Sequence, residues 1–259
     1  MASASTTAPP FFAFAHVSKA FGRNLVLDDV SFAVPRGETL CIVGRSGVGK
    51  SVSLRLFMGF LRPDRGRVIA AEHDITDWDE AQLTRLHQQV TMVFQSGALF
   101  DSLTVGENVA FPLREHGGIS DAEIEAVVDG LLDMLEIRRY RDKLPAGLST
   151  GMKRAVAIAR ALAARPEGIL YDEPTTMVDP LMVQTVAELM QKVQRQVRLT
   201  SIVVTHDTRL ARRLADRLVL LHEGRLRFFG TIAEMDASTD PVLTTFLAQD
   251  QVRLSATAV

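Results

Sequence analysis

The run Gly44-Arg45-Ser46-Gly47-Val48-Gly49-Lys50-Ser51 constrains this chain more than any other stretch. It reads G-x-x-x-x-G-K-S, the pattern of a phosphate-binding loop. Glycines let the backbone curl until several N–H groups point at one anion. Lys50 is placed to reach β- and γ-phosphates, and the Ser51 hydroxyl to hold Mg²⁺. The flanks agree: Thr39-Leu40-Cys41-Ile42-Val43 is a short apolar run, expected of a buried strand. Val52 to Met58 continues as a helix whose N-terminus faces the phosphates. The chain is therefore expected to bind a nucleoside triphosphate.

With 259 residues, the chain suffices for one large α/β domain or one domain with an inserted lobe. A net charge of −2 gives no electrostatic case for nucleic acid as a partner. The single cysteine, Cys41, sits in the apolar run before the loop. It reads as a buried thiol in a reducing compartment, without a disulfide framework. No run of about 18 apolar residues is present, as a membrane-spanning helix would require. Residues 1–10 read as a flexible tail, and Phe11–Val17 as a first strand rather than a signal peptide.

Strands are expected over Phe11–Val17 and Leu25–Val34, with a turn at Gly22-Arg23-Asn24 and another at Pro35-Arg36-Gly37. Val68–Ala71 and Val90–Phe94 are further short strands. From about Ser96 to Ser149 the pattern turns helical, with a capping box at Ser120-Asp121-Ala122-Glu123. Ile124, Val127, Val128, Leu131, Leu132 and Leu135 follow at helical spacing and read as core packing. Beyond Gly151 come helix Ala155–Ala164, strand Gly168–Tyr171, helix Leu181–Val197, strand Ser201–Thr205 and helix Thr208–Ala215. A hairpin of Leu218–His222 and Arg225–Phe229 turns at Glu223-Gly224. Alternating strands and helices argue for a mainly parallel sheet covered on both faces. The helical stretch 95–149 is then a lobe inserted between two parts of one core, 11–94 and 150–259.

Gly168 to Glu173 is an apolar run ending in two carboxylates. Alone, such a pair is often only a turn. Beside a phosphate loop, a strand end delivers acids to the metal and γ-phosphate region. Asp172 would hold the metal, and Glu173 would polarise the attacking water as a general base. Leu148-Ser149-Thr150-Gly151-Met152 opens a helix; small and hydroxylic residues there make an ordinary cap or a second anion site. That second site can serve the same phosphates only if the fold, or a second copy of the chain, places it there.

Together these motifs resemble the ATP-binding subunit of an ABC transporter, over almost the whole chain. Gly44–Ser51 matches its phosphate loop and Leu148–Met152 its signature L-S-G-G-Q. Gln95 matches the glutamine that links nucleotide and Mg²⁺ to the helical lobe. Asp172 and Glu173 match the acidic strand end, Asp179 the aspartate of the next loop, and His206 the switch histidine on the γ-phosphate. Phe21 matches the aromatic that stacks on adenine, although it could equally be core. The resemblance implies an α/β P-loop NTPase fold: a RecA-like core, an antiparallel N-terminal β region and a helical subdomain. It implies ATP and Mg²⁺ as cofactors and a head-to-tail dimer, each ATP lying between one subunit's loop and the other's signature helix. A separate permease would be driven from the cytoplasmic face of the membrane.

Two departures from the signature stand out. Thr150 replaces a glycine, and a β-branched residue would be strained there if the position needs φ > 0. Met152 replaces glutamine.

The stretch Phe94–Phe100, continuing through Thr104–His116, further resembles ATPases of phospholipid transport systems that work with MCE-domain proteins. That likeness implies phospholipid or another hydrophobic substrate, a permease, an MCE-domain lipid-binding protein and, in some systems, a small STAS-domain protein. Leu99, Phe100, Leu103 and Val105 either pack the lobe or form an apolar loop on which a permease docks. An importer ATPase for a polar solute such as an amino acid shares every catalytic residue and stays open as the alternative. A soluble ABC protein of translation or DNA repair would ordinarily carry two cassettes or a long coiled coil, and Glu173 argues against a non-hydrolysing module.

Overall fold

The computed structural model describes residues 8–256. The expected tail over 1–10 lies outside the described residues from 1 to 7; Ala8, Pro9 and Pro10 carry no regular structure. The strands are β1 (Phe12–Phe21), β2 (Asn24–Val34), β3 (Thr39–Val43), β4 (Arg65–Ala70), β5 (His73–Asp74), β6 (Val90–Val93), β7 (Gly168–Asp172), β8 (Thr200–Thr205), β9 (Arg217–His222) and β10 (Arg225–Gly230). The helices are α1 (Lys50–Phe57), α2 (Glu80–Gln89), α3 (Val105–His116), α4 (Asp121–Met134), α5 (Thr150–Ala163), α6 (Pro180–Val197), α7 (Thr208–Leu214), α8 (Ile232–Ala237) and α9 (Pro241–Ala256).

Two sheets form. One is antiparallel, in the order β2-β1-β4-β5. The other runs β10-β9-β3-β8-β7-β6 and is parallel except for the β9–β10 hairpin. The parallel strands are continuous apolar runs because both of their faces are covered. In β3, Cys41 and Val43 face one core while Leu40 and Ile42 face the other. In β9, Leu218 and Leu220 part from Val219 and Leu221 in the same way. The strand period of two thus divides each run between two hydrophobic cores.

One core lies between the mixed sheet and the antiparallel sheet. Phe57 of α1 stacks on Phe14 at 4.3 Å and meets Phe12 edge-on at 5.2 Å. Its complete burial contributes roughly 1.5–3 kcal/mol. The other core gathers α3, α4, α5, α6 and α7. Helix α5 packs on α3 and α4 and also on β6 and α6, so it joins the lobe to the sheet. The Ser120 capping box is present as expected: the Ser120 side chain accepts from the Glu123 amide, and Glu123 reaches back to the Ser120 amide.

Several boundaries differ from expectation. Helix α5 starts at Thr150 rather than Ala155, because Ser149 caps it through the Met152 amide. Helix α2 has no counterpart among the expected elements, because only Leu86 of it is buried and its apolar stripe is weak. Its Asp79–Gln82 capping box was the available signal. Among the described residues, no helix is long and apolar enough to cross a membrane.

Candidate active site

The site forms where three adjacent parallel strands end. Register pairs Val43 of β3 with Thr205 of β8, and Asp172 of β7 with Val204 of β8. The loop after β3, the acidic pair at the end of β7 and His206 after β8 therefore meet at one sheet edge, where α/β folds bind ligands.

The loop's shape depends on glycine at two positions. Gly44 has φ +153°, and a Cβ there would lie 2.5 Å from the Leu221 carbonyl oxygen. Gly49 has φ +107°, and a Cβ would meet Leu27 Cδ2 at 2.7 Å and the Val26 carbonyl oxygen at 3.0 Å. Gly47 also lies at positive φ, while Arg45 and Ser46 are exposed and Val48 is half-buried. Lys50 is buried, and its ammonium donates to the carbonyls of Gly44 at 2.9 Å and Arg45 at 3.2 Å. The loop is thus folded around a cation at the N-terminus of α1, a cradle suited to phosphate.

The acids close the cluster. Ser51 Oγ donates to Asp172 Oδ1 at 2.8 Å. Glu173 Oε1 lies 3.4 Å from Lys50 Nζ. Glu173 Oε2 accepts from Thr176 Oγ1 at 3.1 Å and lies 2.8 Å from His206 Nδ1. Glu173 itself sits at φ +46°, a strained backbone of the kind that gathers at functional sites. Its amide, bound to the Val204 carbonyl at 2.9 Å, helps to fix that geometry.

Electrostatics separates the two neighbouring acids. Burial raises the Asp172 pKa, opposed by the Ser51 hydrogen bond and reinforced by the Glu173 charge. Burial also pushes Glu173 upward, but His206, Lys50 and Thr176 together outweigh it and leave its pKa lowered. The Glu173 hydrogen bond raises the His206 pKa against partial burial. The two groups shift in opposite directions because each favours the charged form of the other. Ser51 and Asp172 form an all-oxygen donor pair, which suits Mg²⁺ with further ligands from phosphate and water.

The direct contacts thus join Lys50, Ser51, Asp172, Glu173 and His206. Among the described residues, no hydrogen bond or ion pair links Phe21, Gln95 or Ser149–Met152 to that cluster. Phe21 is 46% exposed at the end of β1, with Lys19 Nζ 5.7 Å from its ring centroid. That exposure removes the reading of Phe21 as core. Gln95 is exposed just after β6. Asp179 is exposed before α6, its carbonyl accepting the amides of Met182 and Val183. Ser149 and Thr150 are exposed and Met152 is half-buried. Gly151 is buried where a Cβ would lie 2.9 Å from Met182 Cε.

The expected strain at Thr150 is absent. Thr150 is the first residue of α5 and does not have positive φ, so a β-branched side chain fits there. Two residues of the site escaped the sequence reading. Thr176 had a signal in its position three residues after Glu173. Arg154 had none, since its acceptors come from distant parts of the chain.

The family model described as ABC transporter matches residues 27–176. The methionine import ATP-binding protein MetN of Rhodopseudomonas palustris (strain BisB5) is 42% identical over 80% of this chain and 56% of its own length. The probable ribonucleotide transport ATP-binding protein mkl of Mycobacterium bovis is 35% identical over 89% of this chain and 64% of its own length. The chain thus spans less than two thirds of either relative. Among solved structures, the ATP-binding cassette MJ0796, a dimer bound to ADP and Pi, aligns with a TM-score of 0.77 and 31% identity. That alignment covers 85% of this chain and 98% of MJ0796. CbiO1 from Clostridium perfringens, part of the complex cbiONQ, aligns with a TM-score of 0.82 and 28% identity over 94% of this chain and 97% of its own. The phosphate loop, the acidic strand end and these likenesses agree: the chain belongs to the ABC transporter ATP-binding domain family.

Proposed function

We propose that this chain is the ATP-hydrolysing subunit of a transporter that moves phospholipid or another hydrophobic substrate through a separate permease. The observation that carries the hydrolytic reading is the contact set Lys50–Glu173–His206 beside Ser51–Asp172. In this reading the loop amides of Gly44–Ser51 and the Lys50 ammonium bind the β- and γ-phosphates. Ser51 and Asp172 hold Mg²⁺, with Gln95 contributing from the lobe side. Bound Mg²⁺ offsets the phosphate charge. Glu173 accepts the proton of the attacking water, and His206 orients Glu173 and contacts the γ-phosphate. Phe21 stacks on the adenine.

Ser149 and Thr150 are exposed at the start of α5, and among the described residues none of Ser149–Met152 bonds to the cluster, which supports their serving the phosphates of a second copy. In this reading Asp179, exposed ahead of α6, serves the same interface. The dimeric form of the MJ0796 cassette supports this arrangement. The subunit then sits peripherally at the cytoplasmic face of the membrane, held by its permease.

The lipid assignment rests on the resemblance of residues 94–116. Within that stretch Val105 is fully buried and packs the lobe, whereas Phe100 stays 41% exposed. Phe100 lines an apolar cleft of about 430 Å³ with Phe60, Phe94, Phe111, Pro112 and Ala157. That cleft suits an apolar permease segment. The proposed partners are that permease, an MCE-domain protein and a STAS-domain protein. A polar-solute importer is the second reading, favoured by the relative named for methionine import.

The test has two parts. Purified chain is assayed for Mg²⁺-dependent phosphate release from ATP; absence of turnover rejects the hydrolytic reading. The tagged chain is then recovered from its host in mild detergent for protein and lipid mass spectrometry. A permease with an MCE-domain protein and phospholipid supports the lipid reading, and a permease with a solute-binding protein overturns it.

A further inference from the structure

Arg154 lies on α5, just past the signature residues, and is 3% exposed. A buried guanidinium needs acceptors for a planar fork of donors. Here all three nitrogens donate to backbone carbonyls. Nε reaches Pro174 at 3.0 Å, Nη1 reaches Phe94 at 2.8 Å and Nη2 reaches Thr176 at 3.3 Å.

Each acceptor has a functional neighbour. The Phe94 carbonyl also accepts the Gly97 amide at 2.8 Å, closing the turn that carries Gln95. Pro174 directly follows Glu173. Thr176, held through its carbonyl, gives its hydroxyl to Glu173 Oε2 at 3.1 Å, and its amide donates to the Glu173 carbonyl at 3.2 Å. One side chain of the signature helix therefore ties down both the Gln95 turn and the Glu173 loop.

We propose that Arg154 is a positioning residue that fixes Gln95 and Glu173 relative to each other and to the signature helix, so that the three move as one unit. The inference rests on the reading of Glu173 as the base and Gln95 as a nucleotide contact. Arginine is needed because its rigid fork spans three carbonyls, whereas lysine offers one flexible ammonium. A small displacement of a reacting group is costly: about 1 Å of misplacement lowers a rate up to roughly 100-fold.

The test uses the full chain with Arg154→Lys and Arg154→Met. Turnover, binding of a fluorescent ATP analogue and amide hydrogen exchange are measured on each. Arg154→Lys is expected to lower kcat roughly 10- to 100-fold, with KM and analogue binding within about threefold. Exchange at the Gly97 and Thr176 amides rises together. A purely structural arginine would lower the melting temperature and leave kcat and the relative exchange at Gly97 and Thr176 as in the native chain. Unchanged kcat, or loosening of only one of the two loops, overturns the proposal. If Arg154→Met does not fold, Arg154→Lys carries the decision. If the unaltered chain binds the analogue without turnover, the hydrolytic reading fails. Exchange then decides the clamp by itself: joint loosening supports it and separate or absent loosening rejects it.

Discussion

Glu173 Oε2 and His206 Nδ1 lie 2.8 Å apart, although their residues are 33 positions apart in the sequence. They meet because β7 and β8 are adjacent parallel strands that end together. The pair makes the proposed base and its orienting group a single electrostatic unit.

Replacing Glu173 with glutamine removes the proton acceptor while leaving the phosphate cradle intact. Glu173→Gln is expected to lower turnover by about 10²–10⁴-fold and to keep ATP binding. Single-turnover phosphate release and binding of a fluorescent ATP analogue check this; native turnover in the variant would remove Glu173 from the role of base.

The pH dependence follows from opposite shifts. The lowered Glu173 pKa gives a contribution present above its unfolded value and lost as pH falls through the folded one. The raised His206 pKa gives a contribution present below its unfolded value and lost as pH rises through the folded one. The pair therefore stabilises the fold most between the unfolded glutamate and histidine pKa values, roughly 4.3 to 6.5. Melting temperature against pH is expected to fall off less steeply above that window in His206→Ala than in the native chain. Identical slopes would show that the pair carries no linkage.

Gly44→Ala places a methyl carbon against the Leu221 carbonyl at a position of φ +153°. The loop must shift, at about 1–3 kcal/mol of strain. Thermal unfolding is expected to occur several degrees lower and nucleotide binding to be lost. Unaltered binding would mean that the loop opens freely at this point.

Thr150→Gly relieves no strain, because Thr150 is already helical at the start of α5. The substitution instead adds backbone entropy to the unfolded chain, costing up to about 0.5–1 kcal/mol. A small drop in melting temperature and no gain in turnover are expected; faster turnover would reveal a constraint that acts only in the dimer.

Ser120→Ala removes the cap of α4 and leaves Glu123 without its hydroxyl donor. About 1 kcal/mol is expected. Calorimetry would read this as a shift of about 2–4 °C, with ATP binding unchanged.

Local chemistry determined the parts of this protein whose cause lies in neighbouring residues. Gly44, Gly49, Lys50 and Ser51 specify the cradle because backbone freedom and side-chain reach act within eight residues. The apolar runs of β3, β7 and β8 announce strands covered on both faces, and Ser120 with Glu123 announces the start of α4. Tertiary structure alone decided which strand ends adjoin, and so brought Glu173 to Lys50 and His206. It placed Thr150 in helical backbone, which a comparison with a glycine motif does not reveal. It kept Phe100 on the surface while burying Val105, two apolar residues that look alike in a linear reading. It also aimed Arg154 at carbonyls 60, 20 and 22 positions away. Carbonyls occur at every residue and carry no side-chain signature, so only the packed fold selects which of them a buried guanidinium will meet.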